Sequence, residues 1–458
     1  MESFGEWLDR EYRYAAAAML RSISPVDLVK RRPGFGQTIR AVKGAIIASP
    51  VLADWNPEPD YFFHWFRDSA VIIDALRVLH EEGTVGPEAL THVADFVRFS
   101  LSLRKLDGRA LVAEPAWRTG VVEKFTQYLR QDADLAAAHG EAVVADTRVN
   151  ADGTLDISNW SRPQHDGAPL RALAMLRWAR EVTFDAAVEA DVSELIRSDL
   201  AFTFEHAREP SFDMWEEEKG LHYHSLCVSA AALEEGADWL ETRGDTEAQP
   251  HRAQAHRAQA HLAQAHLAQA YRAEAKIIRK TLDGFWLAEA GYYRSRVLPS
   301  EQRSSKELDI AVILAAIHSG SHADTHSVRD PRMHASLARL EALFEADYAI
   351  NHNRSPGTGP AMGRYAGDVY FSGGAYYFST LGAAEFCFRA AAGSEATQAW
   401  VQRGDAYLAT VRAFTPASGE LSEQFDQRTG QQTSARHLAW SYAAFITCVT
   451  ARRAVVKH

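Results

Sequence analysis

Two short stretches far apart in the chain, Ser211-Phe-Asp-Met-Trp-Glu-Glu-Glu218 and Gly419-Glu-Leu-Ser-Glu-Gln-Phe-Asp426, place acidic side chains beside aromatic rings. Hydrolysis of a glycosidic bond asks for two such groups: one carboxylic acid to protonate the leaving oxygen, and one carboxylate to activate water or attack carbon. Acidic clusters also cover ordinary solvated surfaces, so the flanking Trp215 and Phe425 are what set these two apart. In Trp215-Glu-Glu-Glu218, repulsion between adjacent carboxylates and desolvation beside an indole would both favour a protonated form, which a general acid needs near neutrality. The competing reading is a charged helix N-terminus, where the macrodipole favours glutamate. Glu423 sits in a loop leading to Thr433-Ser-Ala-Arg-His-Leu-Ala-Trp-Ser-Tyr442. There Ser434 is placed to cap the last helix, and Glu423 itself is open to the plainer reading of a loop acid.

Arg67-Asp68 follows Tyr61-Phe-Phe-His-Trp65 and precedes the apolar run Ser69 to Leu79. An adjacent Arg and Asp present a fork of donors beside two acceptors, which suits vicinal hydroxyls; a buried structural ion pair is the alternative. Arg364 and Asp368 are four apart and are equally compatible with an i,i+4 pair on a helix.

The elements that must carry these groups are helical. Apolar periodicity of 3.6 between Gly, Pro and Asp breaks marks about twelve segments, near 6–22, 65–82, 87–105, 169–184, 190–208, 221–242, 251–281, 307–319, 331–349, 374–393, 395–413 and 434–455, with no convincing alternating strand ladder. Connections entering the even-numbered segments are long and those leaving them mostly short. In a closed ring of antiparallel helix pairs, that alternation gathers every long loop at one end, where long loops are usually functional. Every polar-aromatic cluster in the chain falls in or beside a long loop, so all of them converge on one mouth. The pentapeptide repeat from His251 to Ala275 advances about 500° per step on an α-helix, so its histidines wind round the cylinder and share no face. An alanine-rich helix, partly at the surface, is expected there rather than a metal site or coiled coil.

Composition narrows the partners. The chain has 458 residues, room for one large domain or two ordinary ones, and a net charge of −11, which argues against a nucleic-acid backbone and suits a neutral polar ligand. Eleven Trp and 10% aromatic residues fit a site where sugar rings stack, although most of those rings belong to the core. Cys227, Cys387 and Cys448 stand alone in apolar helical sequence and read as reduced core thiols, without a disulfide framework or metal spacing. The first residues lack the apolar core of a signal peptide, and no run approaches 18 uncharged apolar residues; a soluble, cytoplasmic protein is expected, with no membrane partner.

Taken together, the motifs resemble the glucoamylase-type glycoside hydrolases, family 15. The resemblance rests on Ala45-Ile-Ile-Ala-Ser-Pro50, Asp60 to Ser69, Trp160-Ser-Arg-Pro-Gln-His-Asp-Gly167 with Leu170-Arg-Ala172, Phe212-Asp-Met-Trp-Glu-Glu217, Gly363-Arg-Tyr365 with Asp368, and Leu421 to Asp426 with Ser434-Ala-Arg436 and Trp440-Ser-Tyr442. These phrases occur in family order from residue 45 to the end. The resemblance implies an all-α fold, an (α/α)6 barrel forming a single catalytic domain over residues 1–458. It implies inversion at the anomeric carbon, with Glu216 as general acid and Glu423 as general base. It also implies that Arg67 and Asp68 grip the non-reducing-end glucose, that Tyr61 and Trp65 line that pocket, and that Trp160, Glu217 and Arg364 contact the sugar across the scissile bond. Met214, Trp215 and Tyr376 complete the expected lining. No cofactor is implied, and the partner is a small oligosaccharide; the oligomeric state stays open.

Three departures bear on specificity. Gly373-Gly-Ala-Tyr376 stands where the family commonly has Gly-Asn-Pro-Trp, which removes an indole from the expected leaving-group side and leaves the linkage open. Glu218-Lys219 adds charge near the acid. Neither a β-sandwich before the barrel nor a starch-binding module after it is visible, which favours a short soluble oligosaccharide such as maltose, isomaltose or a dextrin. A glucodextranase, isomaltose hydrolase or trehalase on the same scaffold is the nearest rival. A non-catalytic sugar-sensing module is another, disfavoured because both carboxylates are kept. A helical-barrel lyase or terpene cyclase would want a metal cluster or an Asp-rich helix, and the sequence shows neither.

Overall fold

A computed structural model describes residues 2–246, 254–299 and 302–456. Twelve long helices order the described residues: α1 (Phe4–Leu20), α2 (Phe66–Glu81), α3 (Glu88–Leu103), α4 (Gly167–Glu181), α5 (Ala186–His206), α6 (Tyr223–Thr246), α7 (Gln254–Asp283), α8 (Ala311–Ser319), α9 (Pro331–Asp347), α10 (Tyr377–Ala391), α11 (Thr397–Phe414) and α12 (Ala439–Val455). The even-numbered helices form a closed inner ring, with α2 on α4, α4 on α6, α6 on α8, α8 on α10, α10 on α12 and α12 back on α2. The odd-numbered helices pack outside it, α1 on α12, α5 on α4, α7 on α6, α9 on α8 and α11 on α10, with α3 against α5 and α2. This is the expected (α/α)6 barrel.

Sequence explains the two rings. A helix with neighbours on all sides is apolar all round, whereas an outer one keeps a polar face. In α8, AVILAAIHS, only His318 escapes the fully buried class, and in α10 only Arg389 does. Each of Val312, Ile313 and Leu314 so buried contributes about 1.5–3 kcal/mol. Three outer helices are closed by side chains at their N-termini, where Ser3 and Glu6 form a capping box on α1, Asp185 accepts from Ala187 and Val188 on α5, and Asp330 caps α9 ahead of Pro331; α3 and α11 have no such cap. The inner helices α2, α4, α10 and α12 have no such cap, and their N-termini end at the mouth that holds the site.

Three differences from the sequence reading have physical causes. The long 106–168 connection folds into pieces of six residues each, at Gly108–Ala113, Pro115–Gly120, Glu123–Tyr128, Asp132–Ala137 and Gly140–Ala145, too short for periodicity to register. Short strands exist, such as Phe63–Trp65 against Arg148–Asn150, but at two to four residues none is long enough to alternate visibly. Ser434 does not cap α12, which starts after Leu438; Ser434 instead takes a left-handed turn, φ 64°, and points its hydroxyl at Glu423. The three cysteines are free and buried. Most of the pentapeptide repeat lies within α7, where His266, Leu262 and Leu267 are exposed; residues 251–253 and the side chains up to 261 lie outside the described set. Among the described residues no helix is long and apolar enough to cross a membrane.

Candidate active site

Glu216 is placed by a tight turn. Strands Ser211–Phe212 and Lys219–His222 pair antiparallel, and between them the Asp213 carboxylate accepts the backbone N–H of Glu217 at 2.7 Å and of Glu218 at 3.2 Å. The turn forces Glu216 into left-handed backbone, φ 66°, a conformation that disfavours any residue with a Cβ and that persists only where the surroundings over-determine it. The same turn separates the three glutamates. Glu216 accepts from the Trp65 indole at 2.8 Å and the Arg67 guanidinium at 3.1 Å on one oxygen, and from the Trp160 indole on the other. Glu217 accepts from Lys306 at 2.7 Å, Tyr365 at 2.6 Å and Arg364 at 3.1 Å, while Glu218 takes Arg296 at 2.8 Å and Ser304 at 2.7 Å. Each carboxylate therefore has its own donors. The run is not a helix N-terminus, since a strand follows it. Trp215 turns away from Glu216, donates to Asp309 at 2.9 Å, and stacks on Phe378 and Trp440 to floor the cavity.

Glu423 comes from the other end of the chain, ahead of the strand Gln424–Phe425, with its backbone N–H on Ala435 O at 2.7 Å. One carboxylate oxygen accepts from Tyr61 at 3.1 Å and the other from Ser434; Tyr61 in turn meets Tyr370, hydroxyl to hydroxyl, at 2.9 Å. Burial pushes the Glu423 carboxyl up to about 7, against the pull of Ser434, Arg364 and Tyr61 toward the charged form. Phe425 is not part of the cavity wall: it is buried against Tyr377 and Phe414.

Arg67 and Asp68 occupy the first turn of α2. One guanidinium there serves three carboxylates, Glu216 at 3.1 Å, Asp68 at 3.4 Å and Asp166 at 3.7 Å. Burial opposes the Arg67 charge, yet the three acids together hold its pKa above the ordinary value. The undersupplied acids go the other way, burial raising Asp68 and Asp166 to about 6 each. Beyond these ion-pair contacts, Arg67 Nε and Nη1, Asp68 Oδ2 and both Asp166 oxygens have no hydrogen-bond partner among the described residues. Arg364 forks onto Asp368 with two bonds of 2.6 Å; the pair lies in a loop, not on the helix that its spacing allowed.

All twelve residues singled out from sequence, Tyr61, Trp65, Arg67, Asp68, Trp160, Met214, Trp215, Glu216, Glu217, Arg364, Tyr376 and Glu423, line one cavity of ≈ 750 Å³ at the N-terminal end of the inner ring. Tyr376 is fully buried, its hydroxyl donating to Asp368 at 3.2 Å and accepting from Gln424 at 2.8 Å. Sequence reasoning missed Tyr370, Phe378 and Trp440 as wall residues; it quoted the phrase that holds the buried Asp166 but gave that residue no role, and Asp166 also approaches His224 at 3.8 Å. Asp166 and His224 stand at the start of α4 and α6, so polar residues entering even-numbered helices were the available signal.

A six-over-six helical barrel with two sequence-distant glutamates in its mouth has the architecture of the helical-barrel glycoside hydrolases. The chain belongs to the family described as "Glycosyl hydrolases family 15", whose model matches residues 34–401 and 391–450. It is 25% identical to the glucoamylase of Neurospora crassa over 91% of its own length, spanning 64% of that protein, and 26% identical to a probable glucoamylase of Schizosaccharomyces pombe over 99% of its length and 93% of the relative's. It is also 24% identical to an intracellular sporulation-specific glucoamylase of Saccharomyces cerevisiae, over 99% and 85% of the two chains. Among solved structures, the family 15 glucoamylase from Hypocrea jecorina superposes with a TM-score of 0.74 at 23% identity, covering 100% of this chain and 73% of the other. The glucoamylase from Saccharomycopsis fibuligera gives 0.75 at 20% identity, covering 99% and 96%.

Proposed function

We propose that the chain is an exo-acting, inverting α-glucosidase that releases β-glucose from the non-reducing end of short α-gluco-oligosaccharides, as one catalytic domain. The observation that carries this reading is that Glu216 and Glu423, from opposite halves of the sequence, line the same cavity together with Arg67 and Asp68. Glu216 acts as general acid. As its proton passes to the glycosidic oxygen, the charge left behind is met by Arg67 and by the indole N–H groups of Trp65 and Trp160, which are already in place. Glu423 acts as general base, orienting a water and taking its proton as the oxygen attacks the anomeric carbon. Tyr61 and Ser434 hold that carboxylate and favour its charged form.

Arg67 and Asp68, which line the cavity side by side, offer a guanidinium donor and a carboxylate acceptor to the hydroxyls of the terminal glucose. Glu217 and Arg364 do the same for the next ring, each fixed by further partners so that little side-chain freedom is lost on binding. Displacement by water needs the two carboxyl groups to stand about 6.5–9.5 Å apart across the bound sugar, wider than a retaining pair.

Proton NMR of the first product formed from maltose, isomaltose, kojibiose, nigerose and trehalose tests both halves of the reading. The β-anomer of glucose should appear first from the preferred substrate, which also identifies the linkage. From trehalose, whose leaving half is itself α-glucose, inversion gives one β- and one α-glucose per cleavage; from any other substrate an initial excess of the α-anomer over its equilibrium share would overturn inversion, and absence of glucose from the whole panel would overturn the α-glucosidase reading.

A further inference from the structure

The two indoles that donate to Glu216 share a neighbour that does not itself line the cavity. Arg148 stands directly opposite Trp65 on the paired strand and is buried; its guanidinium lies 4.8 Å from the centroid of the Trp65 ring and 3.8 Å from that of Trp160. Trp65 donates to one oxygen of Glu216 at 2.8 Å, and Trp160 donates to the other. One cation therefore backs both rings whose N–H groups hold the two ends of the carboxylate. The guanidinium is itself fixed, with Nε donating to Asp156 at 2.9 Å and Nη2 to Ser158 at 3.1 Å, whereas Nη1 has no hydrogen-bond partner among the described residues. The aromatic faces are what remains for it to meet, with Phe63 a third ring at 4.0 Å. Asp156 does not depend on Arg148 alone, since Arg162 reaches the same oxygen at 3.1 Å.

A buried arginine is a costly brace. The loss of hydration is repaid only in part by one carboxylate, and an apolar side chain of similar volume would stabilise the fold about as well. What an apolar side chain would not do is act on the indoles. A cation over the face of an indole is attracted by the ring electrons and draws density from the N–H at the edge, which makes that N–H a stronger donor. Glu216 gains negative charge as it gives up its proton, so stronger donors on both of its oxygens count most in the transition state. We infer that Arg148 is a positioning residue for the acid step: it fixes the Trp65 and Trp160 rings and strengthens their hydrogen bonds to the carboxylate that Glu216 becomes. The inference rests on the proposed role of Glu216 as general acid.

Arg148→Met keeps much of the volume, removes the charge and tests the inference on two substrates. With the disaccharide of the cleaved linkage, whose departing hydroxyl needs a proton, kcat should fall roughly tenfold, the scale of a desolvated cation over an indole. With p-nitrophenyl α-glucoside, whose leaving group departs as a stable anion, it should fall less than about threefold. The basic limb of kcat/KM for the disaccharide should also move to higher pH, because weaker donors favour the charged form of Glu216 less. The other groups facing Glu216 are left in place: Arg67 and Asp68 on α2, Asp166 ahead of α4, and the hydroxyls of Tyr61 and Tyr370. Arg148→Lys, which restores a cation without the planar face, should recover part of the disaccharide loss. Equal losses on the two substrates, or a Tm fall with unchanged kinetics, would make Arg148 a structural partner of Asp156 and overturn the inference. The indole N–H proton resonances of Trp65 and Trp160, identified with Trp65→Phe and Trp160→Phe, read the same hydrogen bonds without turnover. They should move upfield in Arg148→Met, and resonances that stay in place overturn the inference by themselves. A wild type that hydrolyses neither substrate counts against the proposed function instead.

Discussion

Asp68 and Asp74 lie on the same helix, roughly 9 Å apart along its axis, and the two behave oppositely. Asp74, facing the far end of the barrel, holds Arg77 at 2.8 Å and Arg177 at 2.7 Å; burial works against its charge, but the two guanidinium groups win and bring the carboxyl down to about 2. Asp68, at the mouth, shares the single Arg67 with Asp166 and Glu216, and its carboxyl rises to about 6. The pattern extends to the helix ends. At the far end Arg177 donates to His318 O at 3.0 Å and Ser319 O at 3.2 Å, and Arg389 to Ile317 O at 3.1 Å, so the C-terminus of α8 is closed by cations as its dipole favours. At the mouth, α2, α4, α10 and α12 lack side-chain caps, and Glu216 and Ser434 sit in left-handed backbone. One end of the ring is arranged for stability. The other holds polar groups short of partners, which is the condition under which a ligand gains most by binding.

If that division is correct, substitutions at the two ends should separate activity from stability. The largest effect belongs to the mouth: Glu216→Gln and Glu423→Gln should each lower kcat by about 10²–10⁴ or more, the range of general acid–base catalysis, with Tm unchanged or raised. Steady-state kinetics beside thermal unfolding would show it, and near-normal turnover in either variant would break the assignment. At the far end, Arg177→Met strips Asp74 of its closest partner and removes a helix cap, and should destabilise by about 2–4 kcal/mol in urea unfolding while leaving kcat within twofold. The Asp74 contribution has a definite pH window. Its folded pKa lies below the ordinary 3.8, so the stabilisation, about 2.4 kcal/mol for the shift to about 2, is present above pH 4 and disappears as pH falls toward 2. The stability gap between wild type and Asp74→Asn should close over that range.

The same division explains what the sequence disclosed. Apolar periodicity recorded the inner and outer helices, α8 within a few residues of 307–319 and α10 within a few of 374–393, because burial on one or all faces leaves a regular trace. Loop-length alternation then placed the mouth. Glu216, Glu217, Arg67 and Arg364 were legible because each stands in a contiguous phrase. His224 was not, and Asp166, though inside the quoted phrase Trp160 to Gly167, was given no role: their association crosses α4 and α6, and each alone looks like an ordinary polar residue at a helix start. Trp215 misled because neighbours in sequence were assumed to be neighbours in space. The Asp213 turn sends Glu216 and Trp215 apart, and the indoles that reach Glu216 come from Trp65 and Trp160 instead. Ser434 misled for a related reason, since a serine shortly before a helix reads as a cap unless the backbone has already turned left-handed.

Glu423 sharpens the contrast with Asp74, because its linkage runs the other way. Its folded pKa is raised from 4.5 to about 7, so the ionised side chain destabilises the fold fully above pH 7 and not at all below about 4.5. Glu423→Gln should therefore gain up to about 3 kcal/mol of stability at pH 8, less whatever the hydrogen bonds from Ser434 and Tyr61 lose, and gain little at pH 4.5. Unfolding curves at the two pH values decide it. A stability gain at both would mean that packing, not charge, is responsible.

The smallest effect is the most specific. A general base must be ionised to work, so kcat/KM should fall on the acid side with an apparent pKa near the Glu423 value of about 7 in the free protein. Ser434 donates its hydroxyl to that carboxylate and favours the charged form; removing it raises the pKa, and the acid limb moves to higher pH. Ser434→Ala should shift the limb upward by about one unit, the scale of one hydrogen bond to a charged group, with kcat at its pH optimum changed far less than in Glu423→Gln. Tyr61→Phe removes a 3.1 Å bond to the other oxygen and should move the limb the same way by a smaller amount. A limb that stays in place in both variants would assign the titrating group to one of the other raised carboxyls at the mouth, Asp68 or Asp166, and would shift the mechanistic weight from Glu423 to the cluster around Arg67.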